Sequence, residues 1–360
     1  MPLGAHLPTS KGFESALRQA QLLGCDCLQV FSKSPRQWNA PPLDPQKCSA
    51  FRTAWQESGF GPLVVHDSYL INLAAPDDTV REKSIRVMID EVHRADALGS
   101  DFLVTHCGAH LQKDCAADDT SGVDAGLGRL GASLQQVLDA TPEARVRIAL
   151  ENTAAQGTCL GGPFEHLARV LETVGSERLC VCFDTCHALA AGHDVASQDG
   201  LATVLQQFEA TVGWKHLALI HLNDSKGLLG RHLDRHEHIG QGEIGRDGMR
   251  RIVNHPRLQE LPMILETPDT ETMLETNLNT VRELQGKSSE GATGAAQPAQ
   301  SEGATGAAQP AQQEVVSQAS VAAKPGQASD NAAPVAKRSK STKSSTRRST
   351  GREHEDASFV

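Results

Sequence analysis

The stretches VRIALE at residues 146–151 and LCVCFD at residues 179–184 are short, nearly unbroken apolar runs, and each ends on a carboxylate. A run of that length without polar alternation is expected of a strand covered on both faces, as in a parallel sheet wrapped by helices. The same pattern recurs at Leu3–His6, Cys27–Phe31, Leu63–His66, Phe102–His106, Leu217–Leu222 and Met263–Glu266, which with Val146–Glu151 and Leu179–Asp184 makes eight expected strands. Helical periodicity fills the intervals. Phe13, Leu17 and Ala20 fall on one face of a helix ending near Gly24, and similar spacing runs through Arg81–Leu98, Gly126–Leu138, Phe164–Val174, Leu201–Val212, Gly245–Val253 and Glu271–Leu284. Eight strands alternating with helices predict an α/β fold, a (β/α)8 TIM barrel over residues 1–285; an open doubly wound sheet is the structural alternative.

Composition changes abruptly near Gln285. Beyond it the chain is rich in Ala, Gly, Gln, Ser and Pro, with almost no large apolar side chains, the composition of a disordered tail. Residues 286–360 contain a twelve-residue duplication, SEGATGAAQPAQ, spanning 289–312. Two copies with no apolar face cannot stack into a solenoid and read as linker. The segment KRSKSTKSSTRRSTGR at 337–352 carries seven basic and no acidic residues, a pattern that suits nuclear import or nonspecific nucleic-acid contact; a merely solvating tail has the same composition.

Of the 34 basic and 44 acidic side chains, nine and seven lie at or beyond Gly286, which leaves 25 against 37 in the expected barrel. Such an acidic body is a poor partner for polyphosphate, unless bound cations invert the field at one place. No run of eighteen apolar residues exists and the N-terminus lacks a secretory apolar core, so no membrane span is expected and the protein is expected inside the cell. A cleavable presequence is not expected either, because the first strand begins at residue 2 or 3. The nine cysteines form no C-x-x-C pair, which fits a reducing compartment, and most read as small buried hydrophobes.

The residues that end the strands carry the chemistry. Strands three to eight bring His66, His106, Glu151, Asp184, His221 and Glu266 to one rim, and the C-terminal rim of such a barrel is its catalytic face. One His or carboxylate at a strand end is ordinarily hydrogen-bonded structure. Six together, with no Lys or Arg among them, would repel or stay unsatisfied unless cations were bound. His187 follows Asp184 at i+3, and Asp234 and His236 stand at i and i+2 where an extended loop points both the same way. Nine candidate ligands exceed what one four-coordinate ion takes and suit two or three ions with a bridging carboxylate. Their imidazole and carboxylate composition favours zinc or manganese over magnesium or calcium.

The blocks HDSYLINL (66–73), ENTAAQG (151–157), DTCHALAAGHD (184–194), HLNDSKGLLGRHLDRHEHIGQGEIG (221–245) and ILET (264–267) resemble the endonuclease IV family of zinc-dependent abasic-site endonucleases. The resemblance covers the barrel and not the tail. It implies a trinuclear zinc site in which His66, His106 and Glu151 hold one ion, Glu151, Asp184, His221 and Glu266 a second, and His187, Asp234 and His236 a third, with Glu151 bridging. It implies hydrolysis of the phosphodiester bond 5′ to an abasic site in double-stranded DNA by hydroxide held between metals, leaving a 3′-hydroxyl and a 5′-deoxyribose phosphate. A 3′-repair phosphodiesterase activity and a role in base excision repair follow with it. The basic segment at 337–352 sets a separate expectation of nuclear residence if the source is eukaryotic, and of the cytoplasm otherwise. A monomer is expected. By the same resemblance Arg36, Tyr69 and Leu70 enter the DNA; Trp38, on the loop with Arg36, reads equally as a wedge or as packing. One departure stands out: the family's His-Pro-Gly is His106-Cys107-Gly108 here, which implies a less rigid backbone and a thiol within reach of metal or oxidant.

Two other functions fit parts of the pattern. A xylose-isomerase-like sugar isomerase or epimerase would use Glu151, Asp184, His221 and Glu266 but leaves the other five ligand types idle. A damage-binding protein that no longer cuts would be expected to show gaps in the ligand set.

Overall fold

The apolar runs become strands in a computed structural model that describes residues 1–112 and 120–286. Strands β1 (Leu3–His6), β2 (Cys27–Phe31), β3 (Leu63–His66), β4 (Phe102–His106), β5 (Arg147–Glu151), β6 (Leu179–Asp184) and β7 (Leu217–His221) follow one another. The two-residue strands β8 (Asp224–Ser225) and β9 (His236–Glu237) pair antiparallel outside the barrel, and β10 (Met263–Leu265) completes it. β1 to β7 and then β10 are neighbours in that order, every pairing is parallel, and β10 pairs back onto β1. The fold is a TIM barrel. Among the described residues its helices are α1 (Phe13–Leu22), α2 (Pro45–Ser58), α3 (Asp78–Leu98), α4 (Ser121–Ala140), α5 (Phe164–Val174), α6 (Thr185–Ala191), α7 (Gln198–Thr211), α8 (Gly245–Val253) and α9 (Leu274–Leu284).

Several boundaries differ from the sequence reading. Val146, Leu222 and Glu266 lie just outside their strands; the Glu266 amide donates to the Asn223 side chain at 2.8 Å, away from the strand ladder. Helix α2 is not among the expected elements although its signals are in the sequence. The Asp44 carboxylate accepts from Gln46 N, Pro45 takes the first turn, Gly59 ends the helix in the left-handed region, and Cys48, Phe51 and Trp55 are its buried side chains. Helix α6 is also additional, being too short to show a period. The duplicated segment at 289–312, the basic segment at 337–352 and Cys115 lie outside the described residues. Among the described residues no helix is long and apolar enough to cross a membrane.

Side chains of a strand alternate between faces, so the barrel interior is filled by every second residue. Cys27, Val64, Val104, Ala149, Cys180, Cys182, Leu219 and Ile264 make a buried apolar cluster of their own inside the strands, separate from the larger core between strands and helices. The cysteines among the described residues are unpaired, and all but the half-buried Cys159 are buried. Gly4 is required by close approach: a Cβ there would lie 2.2 Å from the Cys27 carbonyl oxygen. Two residues further along these strands stand His6, Gln29, His66, His106, Glu151, Asp184, His221 and, just beyond β10, Glu266. The alternation that packs the interior therefore also stacks a polar layer on top of it.

Candidate metal centre

Glu151 is the hub of that layer, ending β5 with its carboxylate fully buried. Its Oε2 lies 3.3 Å from His66 Nε2 and 3.1 Å from His106 Nε2, and its Oε1 lies 3.0 Å from His221 Nδ1 and 3.3 Å from His187 Nδ1. His221 Nδ1 is also 3.1 Å from Glu266 Oε2. On the far side His187 Nε2 is 3.1 Å from Asp234 Oδ2, and His236 Nε2 is 3.5 Å from Asp234 Oδ1. Among the described residues, three groups made only of His and carboxylates have their ligand atoms within 4.8 Å of one another: His66, His106 and Glu151; Glu151, Asp184, His221 and Glu266; and His187, Asp234 and His236; a fourth adds the buried Cys186 to Asp184 and His236. Glu151 belongs to two of them.

Local structure explains how residues far apart in sequence meet here. Asp184 ends β6 and caps α6, its Oδ1 accepting from His187 N at 2.6 Å, which holds His187 in the first helical turn above the strand end. His236 begins β9, which pairs with β8 in the register Ser225–His236, and the extended chain carries Asp234 and His236 to the same side. The loop beyond β9 is tied by the buried Asp224 carboxylate, which accepts from the amides of Gly240, Gly242 and Ile244.

Hydrogen bonds set which ring nitrogen each histidine presents. Nδ1 of His66 donates to Asp67 O at 3.0 Å, that of His187 to Asn152 O at 2.9 Å and that of His236 to Glu266 O at 2.9 Å, which leaves Nε2 of each turned to the carboxylates. Asn223 donates to Asp184 Oδ2 at 2.6 Å, and the Asn152 side-chain oxygen accepts from Asp184 N at 2.7 Å. The sequence reading does not single out Asn152, Asn223, Gln29 or His6. The signal available was parity: Gln29 stands two residues above Cys27, as His66 stands above Val64.

The electrostatics are those of a site built for cations. Burial pushes the Glu151 carboxyl up, but the charges of His221 and His106 and hydrogen bonds from His106 and His187 hold it well below the usual carboxylate range. Glu266 is held low in the same way by His221, against its burial, and Asp234 is held at about 2, against its burial, chiefly by His187. Burial wins at Asp184, whose carboxyl is raised. Burial would lower His66, yet the hydrogen bond and charge of Glu151 raise it to about 9; against the same burial, Asp184 and Asp234 carry His187 well above the usual range. A further observation tests the fit of metal to these residues. His236 Nε2 is buried and has no hydrogen-bond partner, a costly state for a polar atom but the one a metal ligand adopts. His6 Nε2 is likewise unpartnered but belongs to none of the three groups.

A cleft of about 510 Å³ opens above the cluster, its walls including Phe31, Tyr69, Arg235 and Thr270. Tyr69 is 49 % exposed, stands edge-on to Phe31 at 5.3 Å and to His66 at 6.1 Å, and so sits at the mouth; Arg36 is exposed and Leu70 half-buried. The loop carrying Arg36 is held from below: Lys33 pairs with Asp90 at 3.2 Å and Glu91 at 3.3 Å, and Ser68 Oγ donates to Pro35 O at 2.8 Å. Trp38 is half-buried and packs against the core with Lys83 Nζ 4.1 Å over its ring, as the packing alternative expects. Cys107 departs from its expectation. Its thiol is fully buried, faces the Glu151 carbonyl oxygen at 3.8 Å, is pushed up to about 12 by burial and joins none of the ligand groups, so it is placed to meet neither metal nor oxidant.

Residues 17–285 match the model of a family described as a xylose isomerase-like TIM barrel. The protein named "Probable endonuclease 4" from Chloroflexus aurantiacus is 45% identical over 277 residues, which is 77% of this chain and 94% of that protein. The crystal structure of endonuclease IV from Thermus thermophilus superposes with a TM-score of 0.70 at 35% identity, covering 80% of this chain and 100% of that one. A solved D-tagatose 3-epimerase-like protein superposes at 0.55 with 19% identity, over 79% of this chain and 99% of that one, a likeness of fold alone.

Proposed function

The chain belongs to the endonuclease IV family, and from that premise we propose that it is a hydrolase that cuts the phosphodiester bond 5′ to abasic sites in double-stranded DNA. The products are a 3′-hydroxyl and a 5′-deoxyribose phosphate, and the work is base-excision repair with trimming of blocked 3′ ends. The observation that carries this reading is the convergence of three ligand groups, two of them sharing Glu151, which brings nine side chains together on one barrel rim. The residues fit three zinc ions: His66, His106 and Glu151; Glu151, Asp184, His221 and Glu266; His187, Asp234 and His236. Zinc bound there supplies Lewis acidity and brings the pKa of water toward about 7.

The chain's own part is to place charge and exclude water. The Glu151 carboxylate, with one oxygen toward His66 and His106 and the other toward His221, fixes the spacing of two of the groups. Burial of most of the set, with His106, His236 and Glu266 half-buried toward the cleft, raises the strength of each electrostatic contact with a phosphoryl group entering it. Tyr69 lines the cleft, and it, the exposed Arg36 and the half-buried Leu70 would meet a bent duplex with a missing base. An acidic protein thereby contacts a polyanion at the one place where cations are concentrated.

The reading as a sugar isomerase would use four of the nine ligands and leave His66, His106, His187, Asp234 and His236 without a task. The test is incubation of metal-analysed protein with a duplex carrying a single abasic analogue. Incision on its 5′ side, with a 3′ end that a polymerase extends and with about three zinc ions per chain, is the expected result. Intact duplex in the presence of bound zinc would sink the assignment.

A further inference from the structure

Gln29 is fully buried inside the barrel, on the polar layer, and belongs to none of the ligand groups. Its side-chain amide nevertheless touches three residues of the rim. Nε2 donates to Glu266 Oε1 at 2.6 Å and to His6 Nδ1 at 2.9 Å, and Oε1 lies 2.8 Å from His221 Nε2. The orientation of the amide is dictated by chemistry. An ionised carboxylate only accepts hydrogen bonds, so the end of Gln29 that meets Glu266 must be the NH2 group. The oxygen is then turned to His221, and an amide oxygen only accepts, so His221 Nε2 must carry a proton. With the Nε2 proton held against Gln29, Nδ1 faces Glu151 at 3.0 Å and Glu266 at 3.1 Å; it donates to these carboxylates while the ring is charged and becomes the coordinating atom of the ring when its own proton leaves.

His221 is thus the exception on this rim. His66, His187 and His236 spend Nδ1 on backbone carbonyls and present Nε2, whereas His221 presents Nδ1. No backbone carbonyl takes its other nitrogen; a side chain does. We propose that Gln29 is the positioning residue of the group formed by Glu151, Asp184, His221 and Glu266, selecting the His221 tautomer and bracing the Glu266 carboxylate at once. The proposal rests on the reading of that group as a zinc site. It assigns Gln29 no contact with substrate or metal.

The arrangement has a second consequence. The two hydrogens of one amide are shared between Glu266 and His6, so Gln29 ties strands β1, β2 and β7 to the residue following β10 across the barrel mouth. Replacing it removes three hydrogen bonds from one buried point, and supporting partners of metal ligands typically weigh about 10- to 100-fold in metal affinity.

The test uses the full chain, zinc-free and zinc-loaded, with Gln29→Leu and the nearly isosteric Gln29→Glu beside the wild type. Zinc affinity is read by competition with a chelator, and the His221 ring by 15N-resolved NMR, its signal assigned by loss in His221→Gln. Gln29→Leu should weaken one ion by about 10- to 100-fold, leave the others close to wild type, and abolish the slowly exchanging Nε2 proton of His221. Gln29→Glu keeps an acceptor for that proton but sets a second carboxylate against Glu266, so the proton signal should persist while the same ion is still weakened. Wild-type zinc affinity in both variants, or a Leu variant that keeps the Nε2 proton, overturns the proposal. Should the Leu variant not fold, wild-type affinity in the Glu variant overturns it alone. If the wild type takes up no zinc, the metal-site reading fails instead, and the Nε2 proton of the zinc-free proteins still decides whether Gln29 sets the His221 ring.

Discussion

The inside of the barrel has two layers built by the same strands, one step of the pleat apart. The lower holds Cys27, Val64, Val104, Ala149, Cys182, Leu219 and Ile264; the upper holds Gln29, His66, His106, Glu151, Asp184, His221 and Glu266. Both layers are built on the same backbone geometry, yet one is dry hydrocarbon and thiol and the other is nearly all ionisable. Burial stabilises the first layer by removing apolar surface from water. In the second, burial costs free energy that only paired charges or bound cations offset. Stability and chemistry are therefore separated by two residues along each strand, and substitutions on either side should fail in different ways.

The sharpest test of that separation is Glu151→Gln. It preserves shape and removes the charge shared by two ligand groups, so incision should fall by about 10³-fold or more while the barrel still folds, with a lowered melting temperature in the zinc-free protein because the buried histidines lose their shared carboxylate. Turnover near wild type would end the bridging role. The double substitution Asp234→Ala with His236→Ala should come next, lowering zinc content by about one ion and turnover by about 10²-fold, as elemental analysis and single-turnover incision would show. A full zinc complement with full activity would remove these two residues from the site.

Below the rim, Ile264→Ala opens a cavity under the ligands and should cost about 2–5 kcal/mol in denaturant unfolding, with zinc per folded chain unchanged. Loss of zinc in proportion to stability would show the layers to be coupled. At the mouth, Tyr69→Ala should reduce the preference for abasic over intact duplex by about tenfold at constant zinc content, measured by competition binding. An unchanged preference would leave the ring with a packing role against Phe31.

The smallest effect expected is on pH dependence without metal. His66 is raised to about 9 in the folded protein from an ordinary value of 6.5, so it binds its proton more tightly when folded. Its contribution to stability is complete below pH 6.5 and is lost as pH rises through about 9. The zinc-free melting temperature should decline across that window, and zinc uptake at about pH 7 should release protons to a weakly buffered indicator. A melting temperature that rises over the window, or uptake without proton release, would contradict the site's electrostatics.

How much of this was legible beforehand follows from which interactions are local. The eight strands were readable because doubly covered strands are short apolar runs, and the nine candidate ligands were readable as a cluster because they end those runs or stand two or three residues from one another. Helix α2 was legible too, through Asp44, Pro45, Gly59 and its apolar spacing, although the reading above does not include it. Asn152 and Asn223 carry no such signal and Gln29 only its parity with Cys27, since an amide inside or just after an apolar run looks the same whether it braces a ligand or fills space.

The sequence by itself determined the barrel, the rim on which its chemistry collects and the kinds of atom offered there, because all of these are set by alternation along a strand and by side-chain chemistry. Tertiary structure alone decided that Trp38 packs inward under Lys83, that the Cys107 thiol turns away from the ligands, and that His221 presents Nδ1 where three other histidines present Nε2. Those outcomes depend on partners distant in sequence: Gln29 and His221 are 192 residues apart and are brought together by closure of the barrel. Hydrogen-bond direction is a property of the assembled pair, and no single segment of the chain contains both members.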